Sequence, residues 1–246
     1  MSLIIPNWNA PKNVKAIAST RLEGFSTGVY QGLNLGSHVG DDLDTVFRNR
    51  QQLTQMAKMP SAPVWLNQTH STAVIQVNQP TENTLDADGL VTSQPGVVLS
   101  AMTADCLPVL LTNTQGSQVA AVHAGWRGLA DGIVENAVAT FGRDAIDGNM
   151  IAWLGPAIGA RAFEVGEDVL QAFCDANPQA IDAFIPTGQV GKWWANMELL
   201  ATQRLNALGV TQVFACGLCT YSDPEHFYSY RRDGVTGRLA SFIWIE

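Results

Sequence analysis

The chain has 246 residues, of which 46% are hydrophobic and 15% charged, an ordinary balance for a folded protein with a buried core. Its net charge of −8 argues against general binding of nucleic acid or anionic membranes, because an acidic surface repels phosphate groups. No apolar run approaches the roughly 20 residues that cross a bilayer, and the segment Met1 to Pro6 lacks the features of a signal peptide, so we expect a cytoplasmic protein with thiol cysteines.

Apolar, strand-like runs and helical patterns follow one another along the chain. The predicted strands are, in order, Val14 to Ser19, Val64 to Leu66, Ala73 to Val77, Val97 to Met102, Val109 to Thr112, Gln118 to Val122, Met150 to Leu154, Val213 to Cys216 and Leu239 to Ile245. The predicted helices are Thr45 to Lys58, Leu129 to Phe141, Val165 to Asp175 and Trp194 to Leu208. Many of the strands are too apolar to face water, so the pattern predicts a mixed α/β fold with buried sheets. No linker or repeat interrupts it, and we predict a single domain over residues 1–246.

Three residues that can carry chemistry follow or end strand-like runs: His70, Cys106 and His123. At such positions a rigid scaffold can aim side chains into a cleft. Two imidazoles and one thiolate form a three-ligand set for a transition metal, with a fourth position left for water. Their irregular spacing matches no local metal motif, and a lone His or Cys beside an apolar strand is more often a packed core residue. The residues by themselves leave both interpretations open.

Other polar residues have simpler interpretations. Asp86 and Asp88 could act as an acid or a base, but Asp-Gly turns are common and a structural role is at least as well supported. The segment Cys216 to Cys219 has the spacing of a redox dithiol without its usual context, which favours a structural role. His38 and His226 are interpreted as surface or loop residues.

Seven segments of the chain carry a family resemblance: Leu33-Asn34-Leu35-Gly36, Gln68-Thr69-His70, Asp86-Ala87-Asp88-Gly89, Thr103-Ala104-Asp105-Cys106-Leu107-Pro108, Val122-His123-Ala124-Gly125-Trp126-Arg127-Gly128, Leu154-Gly155-Pro156-Ala157-Ile158-Gly159 and Ser229-Tyr230-Arg231-Arg232-Asp233. In this order they resemble the YfiH family of bacterial proteins. The match covers almost the whole chain. It implies a layered α/β/β/α fold with mixed sheets, similar to the catalytic domain of a deamidating bacterial toxin.

The resemblance also implies a metal site. The family's ligands are the His of its Gln-x-His motif, the Cys of Ala-Asp-Cys-x-Pro and the His of His-Ala-Gly-Trp-Arg-Gly, which correspond here to His70, Cys106 and His123. One departure is visible, because Ser71 stands where the family often has glycine after the first His. The residue is still small, so the ligand assignment is kept.

The activity implied by the resemblance is that of a purine nucleoside phosphorylase acting on adenosine, inosine and methylthioadenosine, with adenosine deaminase activity. Members of the family were long labelled multicopper polyphenol oxidases or laccases. A Cys/His/His site suits zinc as the cofactor, with copper as the alternative. The expected partners are purine nucleosides and inorganic phosphate, and no protein partner is indicated. The preferred nucleoside, or a cell-wall precursor in its place, is left open by the sequence.

Phosphorolysis needs further groups that hold phosphate and stabilise developing charge. Arginine forks suit phosphate, so we expect Arg127 and one of Arg231 or Arg232 to bind it. Asn34 and Asp105 are expected to act as polar contacts or proton carriers.

Three other functions are compatible with parts of this pattern. A Cys106–His123 dyad could serve a cysteine hydrolase without any metal. A copper polyphenol oxidase is disfavoured because a multicopper enzyme needs many histidine ligands and this chain has four histidines. A structural zinc protein is disfavoured because three ligands leave the site open.

Overall fold

The structure is a computed structural model that describes residues 3–246. Met1 and Ser2, which belong to the predicted domain and to the segment predicted not to be a signal peptide, lie outside the described residues. The strands are β1 Leu3–Ile4, β2 Val14–Ser19, β3 Leu66–Asn67, β4 Val74–Gln76, β5 Leu85–Asp86, β6 Gly89–Thr92, β7 Leu99–Thr103, β8 Leu107–Asn113, β9 Val119–Ala124, β10 Met150–Leu154, β11 Glu164–Val165, β12 Phe184–Pro186, β13 Trp193–Ala195, β14 Gln212–Ala215 and β15 Leu239–Ile245. The helices are α1 Leu43–Met56, α2 Trp126–Asp131, α3 Ile133–Ala139, α4 Arg143–Ile146, α5 Glu167–Cys174, α6 Met197–Ala207 and α7 Tyr230–Asp233, with short 3₁₀ turns at Gly28–Tyr30 and Pro178–Ala183.

Two sheets form the centre of the protein. The first has four strands in the order β1-β2-β15-β7, with all neighbours antiparallel. The second has six strands in the order β14-β10-β8-β9-β6-β4, in which the outermost pair at each end is parallel and the central pairs are antiparallel. Smaller sheets are formed by β11-β13-β12 and by the parallel pair β3-β5.

The two large sheets pack face to face and carry helices on their outer faces. Between them lies a core that includes Ala16 and Ile243 from the first sheet and Leu110, Ala121 and Trp153 from the second. Because side chains alternate along a strand, the other residues of the same strands face outward. On the six-stranded sheet these outward residues are covered by α3, α5 and α6, and on the four-stranded sheet by α1. The predicted α/β/β/α layering is confirmed.

Two predicted helices differ from the structure for local reasons. The helix predicted over Leu129 to Phe141 is divided into α2 and α3 by Gly132, whose φ of +102° lies in the left-handed region that glycine adopts without strain. The helix predicted from Trp194 begins only at Met197, where the side chain of Asn196 caps it by accepting from the backbone N–H of Leu199 at 3.0 Å. The preceding tryptophans belong to β13.

Strand β6 is not among the predicted strands, since the Asp88-Gly89 pair at its start is typical of a turn. In the structure Gly89–Thr92 is fully buried and pairs antiparallel with β9, with Gly89 opposite Val122. The next pair is therefore Asp88 opposite His123, and the backbone N–H of His123 donates to the carbonyl oxygen of Asp88 at 2.7 Å. This register places a carboxylate beside one of the predicted metal ligands.

All four cysteines are free of disulfide bonds, as predicted. Over residues 3–246, every helix is too short or too polar to cross a bilayer.

Candidate metal centre

His70 lies in the loop after β3, in a backbone conformation that needs support. Its φ is +61°, in the left-handed region that is unfavourable for most side chains. The support comes from the carboxylate of Asp88, which accepts hydrogen bonds from the backbone N–H groups of Thr69, His70 and Ser71 at 3.2, 3.1 and 2.7 Å. Asp88 therefore fixes the direction in which the imidazole of His70 points.

Ser71, the one departure from the family pattern at this motif, adds to the same arrangement. Its hydroxyl donates to Oδ2 of Asp88 at 2.7 Å. The residue that replaces glycine thus contributes a further hydrogen bond to the group that holds His70.

His123 is buried in β9 and is held by the same carboxylate. Its Nδ1 lies 2.8 Å from Oδ1 of Asp88. A carboxylate accepts and cannot donate when ionised, so Nδ1 carries the proton and Nε2 is left with a lone pair for a metal. This carboxylate–histidine arrangement is typical of metal ligands in proteins.

Cys106 lies in the tight connection between β7 and β8. The preceding residue, Asp105, has a φ of +93° and a buried carboxylate that accepts from the hydroxyls of Thr220 and Ser229 at 2.6 and 2.9 Å and from the backbone N–H of Arg231 at 2.7 Å. These bonds fix the connection to two distant segments of the chain. Both carboxylate oxygens of Asp105 accept hydrogen bonds, as expected of a residue that positions this connection. This arrangement offers little support for the expected role of Asp105 in proton transfer.

The three predicted ligands meet at one point. Their ligand atoms all lie within 4.8 Å of one another, and Sγ of Cys106 is 3.7 Å from Nε2 of His70. A tetrahedral zinc ion bound at about 2.3 Å from sulfur and about 2.05 Å from nitrogen would hold these two atoms about 3.6 Å apart. The donor set and its spacing therefore fit a metal ion of this kind, and the group could hold one.

The electrostatics of the cluster favour the thiolate form of Cys106 and the ionised form of Asp88. Burial by itself would raise the pKa of Cys106, but the positive charge and hydrogen bonding of His123 and His70 outweigh it and lower the pKa to about 6. For Asp88, burial is likewise outweighed, by hydrogen bonds from His123 and Ser71, and the pKa falls to about 2. The pKa of His123 is raised despite its burial, because the Cys106 thiolate and Asp88 stabilise its protonated form. A metal cation bound at the thiolate would replace that proton.

Gly125 leaves the space that His70 occupies. A methyl group on Gly125 would overlap Cδ2 of His70 and lie 3.1 Å from its Nε2 and 3.3 Å from Sγ of Cys106. The backbone of Gly125, with φ −62° and ψ 157°, is one that alanine adopts freely. Glycine is needed here for space and not for conformation.

A Gly125→Ala variant is therefore expected to fold but to bind metal roughly 10–100-fold more weakly, since the methyl group must displace His70. Zinc competition with a chromogenic chelator measures the affinity, and circular dichroism measures the fold. Unchanged zinc affinity in a folded variant would show that His70 is not a ligand.

The cluster lies in the wall of a cavity of about 420 Å³, which is within the usual range of small-molecule sites. The lining residues are His38, Gln68, His70, Met102, Thr103, Ala104, Cys106, His123, Tyr230 and Arg238. None of these ten residues is an aspartate or a glutamate. In a protein with a net charge of −8, such a lining is open to an anionic ligand.

The other residues expected at the site lie outside this lining. Asn34 is fully buried, and its side chain bonds to Gly36, Asp41 and the backbone N–H of Arg238. The guanidinium of Arg127 is exposed and stacks on Trp126.

Arg231 and Arg232 have contacts elsewhere. The guanidinium of Arg231 donates to the carbonyl of Glu164 and lies over the ring of Phe163. Arg232 directs all three of its nitrogens to Asp233 and to the carbonyls of Thr220, Tyr221 and Phe227. The geometry does not support phosphate binding by Arg232, because its donors are already in use.

Sequence reasoning missed three contributors to the site. Arg238 and His38 line the cavity, although Arg238 falls in no motif. His38 is an exposed residue of a turn, in agreement with its interpretation as a surface or loop residue, but its place at the cavity was not foreseen. Asp88 holds both imidazoles, a role that the Asp-Ala-Asp-Gly segment indicated only as one alternative to a turn. Its pairing with His123 depends on sheet register, which the sequence did not reveal.

The Cys216 to Cys219 segment stands apart from this site. Sγ of Cys219 accepts from the backbone N–H of Gly159 at 3.2 Å and lies 3.2 Å from the hydroxyl of Ser222. These contacts are consistent with the structural role that the sequence favoured.

Comparison with known proteins places these observations in a family. The family model described as multi-copper polyphenol oxidoreductase laccase matches residues 15–246. A protein of Haemophilus influenzae named purine nucleoside phosphorylase is 49% identical over 247 residues, covering 100% of both chains. The Escherichia coli protein named purine nucleoside phosphorylase YfiH is 48% identical over 243 residues, covering 99% of this chain and 98% of its own.

Solved structures show the same fold. A crystal structure of a Neisseria meningitidis protein, 45% identical, superimposes with a TM-score of 0.93 and covers 100% of both chains. YlmD from Geobacillus stearothermophilus, 28% identical, has a TM-score of 0.88 and covers 96% of this chain and 93% of that one. With a family model and relatives that span nearly its whole length, the chain belongs to the YfiH family, whose model is described as that of a laccase.

Proposed function

We propose that this protein is a zinc-dependent purine nucleoside phosphorylase that acts on adenosine, inosine and methylthioadenosine and also deaminates adenosine. The observation that carries the proposal is the His70, Cys106 and His123 cluster in the wall of a cavity free of carboxylates. The names of the relatives at 48–49% identity support the phosphorylase part of this proposal.

The two reactions make different demands on the cavity. In phosphorolysis an oxygen of inorganic phosphate bonds to C1′ of the ribose while the bond from C1′ to the purine nitrogen breaks, and the purine keeps the electron pair and takes up a proton. In deamination water adds at C6 of the purine and ammonia leaves. When bound, zinc supplies Lewis acidity and lowers the pKa of water toward ~7.

The chain's own residues would hold the metal and the substrate. Asp88 keeps the proton of His123 on Nδ1, which leaves Nε2 to the metal. Gln68 bonds through its amide to the backbone N–H and carbonyl of Met102, at 2.8 and 2.7 Å, and so fixes the loop that carries His70 against β7. Tyr230 is exposed at the cavity and offers an aromatic face for a purine ring.

A cysteine hydrolase is the second candidate, because Cys106 has the low pKa of about 6 that a thiolate nucleophile needs. A copper oxidase has less support despite the description of the family model. Two of the four histidines lie in the cluster, and a multicopper centre needs many more.

The test compares nucleosides and metal states in one assay. Zinc-loaded protein is incubated with adenosine, inosine or methylthioadenosine, with and without inorganic phosphate, and the products are separated by chromatography. We expect release of the purine base only with phosphate, conversion of adenosine to inosine without it, loss of both reactions on thorough chelation, and recovery on return of zinc.

Alkylation separates the metal enzyme from the cysteine hydrolase. We expect zinc to protect Cys106 from iodoacetamide and chelation to expose it, as measured by mass spectrometry of the labelled peptides, with Cys174 as the reference thiol. Full activity in a verified metal-free preparation, together with stoichiometric inactivation by labelling of Cys106, would replace the zinc proposal with the hydrolase.

A further inference from the structure

Arg238 is a cation without an ionic partner in the wall of the cavity. Its side chain is largely withdrawn from solvent, and burial lowers the pKa of its guanidinium. Within residues 3–246 it forms no salt bridge, and its side-chain hydrogen bonds run from Nη1 to the carbonyls of Thr236 and Gly237 at 3.0 and 3.1 Å. An arginine has five N–H donors, so the edge formed by Nε and Nη2 keeps its three donors free of protein acceptors.

The backbone of Arg238 is fixed by the Leu33 to Gly36 segment, which the family resemblance singled out. The backbone N–H of Arg238 donates to Oδ1 of Asn34 at 2.8 Å, and its carbonyl accepts from the N–H of Leu35 at 3.1 Å. A methyl group on Gly36 would lie 2.7 Å from Cγ of Arg238, so glycine leaves room for this side chain. Two hydrogen bonds from this segment fix the backbone of Arg238, and Gly36 leaves the space that its side chain occupies.

The surroundings of the guanidinium favour an anion. Arg238 lines the same cavity as His70, Cys106 and His123, and the ten lining residues include no carboxylate that could neutralise it. The pKa of His38, which also lines the cavity, is lowered by burial first and then by the positive charges of Arg238 and Arg50, so its neutral, hydrogen-bonding form is favoured. The charges of Cys106 and Asp105 offset part of the cost of burying this cation, but neither residue forms a salt bridge with it within residues 3–246, and a bound oxyanion on its free edge would offset more.

We propose that Arg238 is the phosphate-binding residue of this site, receiving two oxygens of inorganic phosphate on its Nε and Nη2 edge, and that Asn34 is the positioning residue that aims it. This inference rests on the proposed phosphorylase function and names the residue that holds its second substrate. A bidentate arginine is a common means of phosphate recognition in proteins. The phosphate is thereby placed in the cavity that the metal cluster lines.

Calorimetric titration of the zinc-loaded protein with inorganic phosphate tests the proposal without relying on turnover. We expect Arg238→Gln to weaken phosphate binding at least tenfold and Arg238→Lys to weaken it less, because lysine keeps the charge and loses the fork. Arg143→Gln removes the same charge from an exposed helix end and serves as the control, with unchanged affinity. Metal content and melting temperature verify that each variant is folded and loaded.

Several outcomes would overturn the assignment. They are absence of phosphate binding by the unaltered protein, equal binding by Arg238→Gln, or loss of binding in Arg127→Gln in its place. Titration with a purine nucleoside 5′-monophosphate distinguishes a nucleotide phosphate from the free ion, and Arg238-dependent binding of the nucleotide alone also contradicts the proposal. Because binding is measured directly, Arg238-dependent phosphate binding without base release would contradict the phosphorylase function and leave the anion site standing.

Asn34 is tested through kinetics against a matched buried amide. Asn34→Ala is expected to raise the KM for phosphate several-fold with little change in the KM for the nucleoside, since the metal cluster is untouched. Asn49→Ala removes a buried side chain that donates to the carbonyl of Asn34 at 2.9 Å but does not bond to Arg238. It is expected to lower stability without raising the KM for phosphate more than the KM for the nucleoside. Equal changes in both KM values for Asn34→Ala would assign it a purely structural role.

Discussion

Replacing His123 or His70 by alanine is expected to remove the metal and to reduce activity to background. Each contributes one of the three ligand atoms that lie within 4.8 Å of one another. Loss of a residue that only orients a ligand costs about 10–100-fold in metal affinity, and loss of a ligand itself should exceed that range. Elemental analysis after dialysis against a weak chelator measures the metal, and the nucleoside assay measures the activity.

The other two histidines provide the controls. His38 lines the cavity but is not part of the ligand cluster, so His38→Ala should retain zinc even where substrate binding changes. His226 pairs with Asp223 outside the cavity, and His226→Ala should retain both zinc and activity. Full metal content in both His70→Ala and His123→Ala would contradict the ligand assignment.

Asp88→Asn is expected to have the second-largest effect, although Asp88 touches no metal. The carboxylate accepts from three successive N–H groups, from the hydroxyl of Ser71 and from Nδ1 of His123, and an amide can accept at only one of its two positions. The variant should lose the support of the left-handed backbone at His70 and the fixed tautomer of His123. We expect zinc affinity to fall at least ~100-fold, at the upper end of the range for groups that orient ligands.

Two neighbouring substitutions show whether this effect is specific. Asp86→Asn makes the same chemical change two positions away, on an exposed residue that accepts from the side chain of Asn67, and should leave zinc affinity unchanged. Ser71→Gly restores the residue frequent in the family and removes one of the five bonds to Asp88, so a small decrease is expected. If Asp88→Asn binds zinc as tightly as Asp86→Asn, the carboxylate has no role in orienting the ligands.

Local patterns predicted the elements that depend on local interactions. The runs Val14 to Ser19, Met150 to Leu154 and Leu239 to Ile245 form strands with the predicted limits, because each is a predominantly apolar segment long enough to cross a buried sheet. Two-residue and three-residue strands such as β5 and β13 were missed, since a pair or a triplet of residues has no recognisable periodicity. The start of α6 was misplaced because tertiary pairing of Trp193–Ala195 overrode local helix propensity.

The sequence by itself determined the fold class and indicated the three candidate ligands, since buried strands read as apolar runs and the family motifs surround His70, Cys106 and His123. Only the tertiary structure decided what surrounds them. Asp88 reaches His123 through the register of β6 and β9, and Arg238 enters the cavity on the segment before β15, held by Asn34 from the other end of the chain. Such contacts join residues far apart in sequence, and their partners are set by strand pairing and packing, which local patterns do not specify.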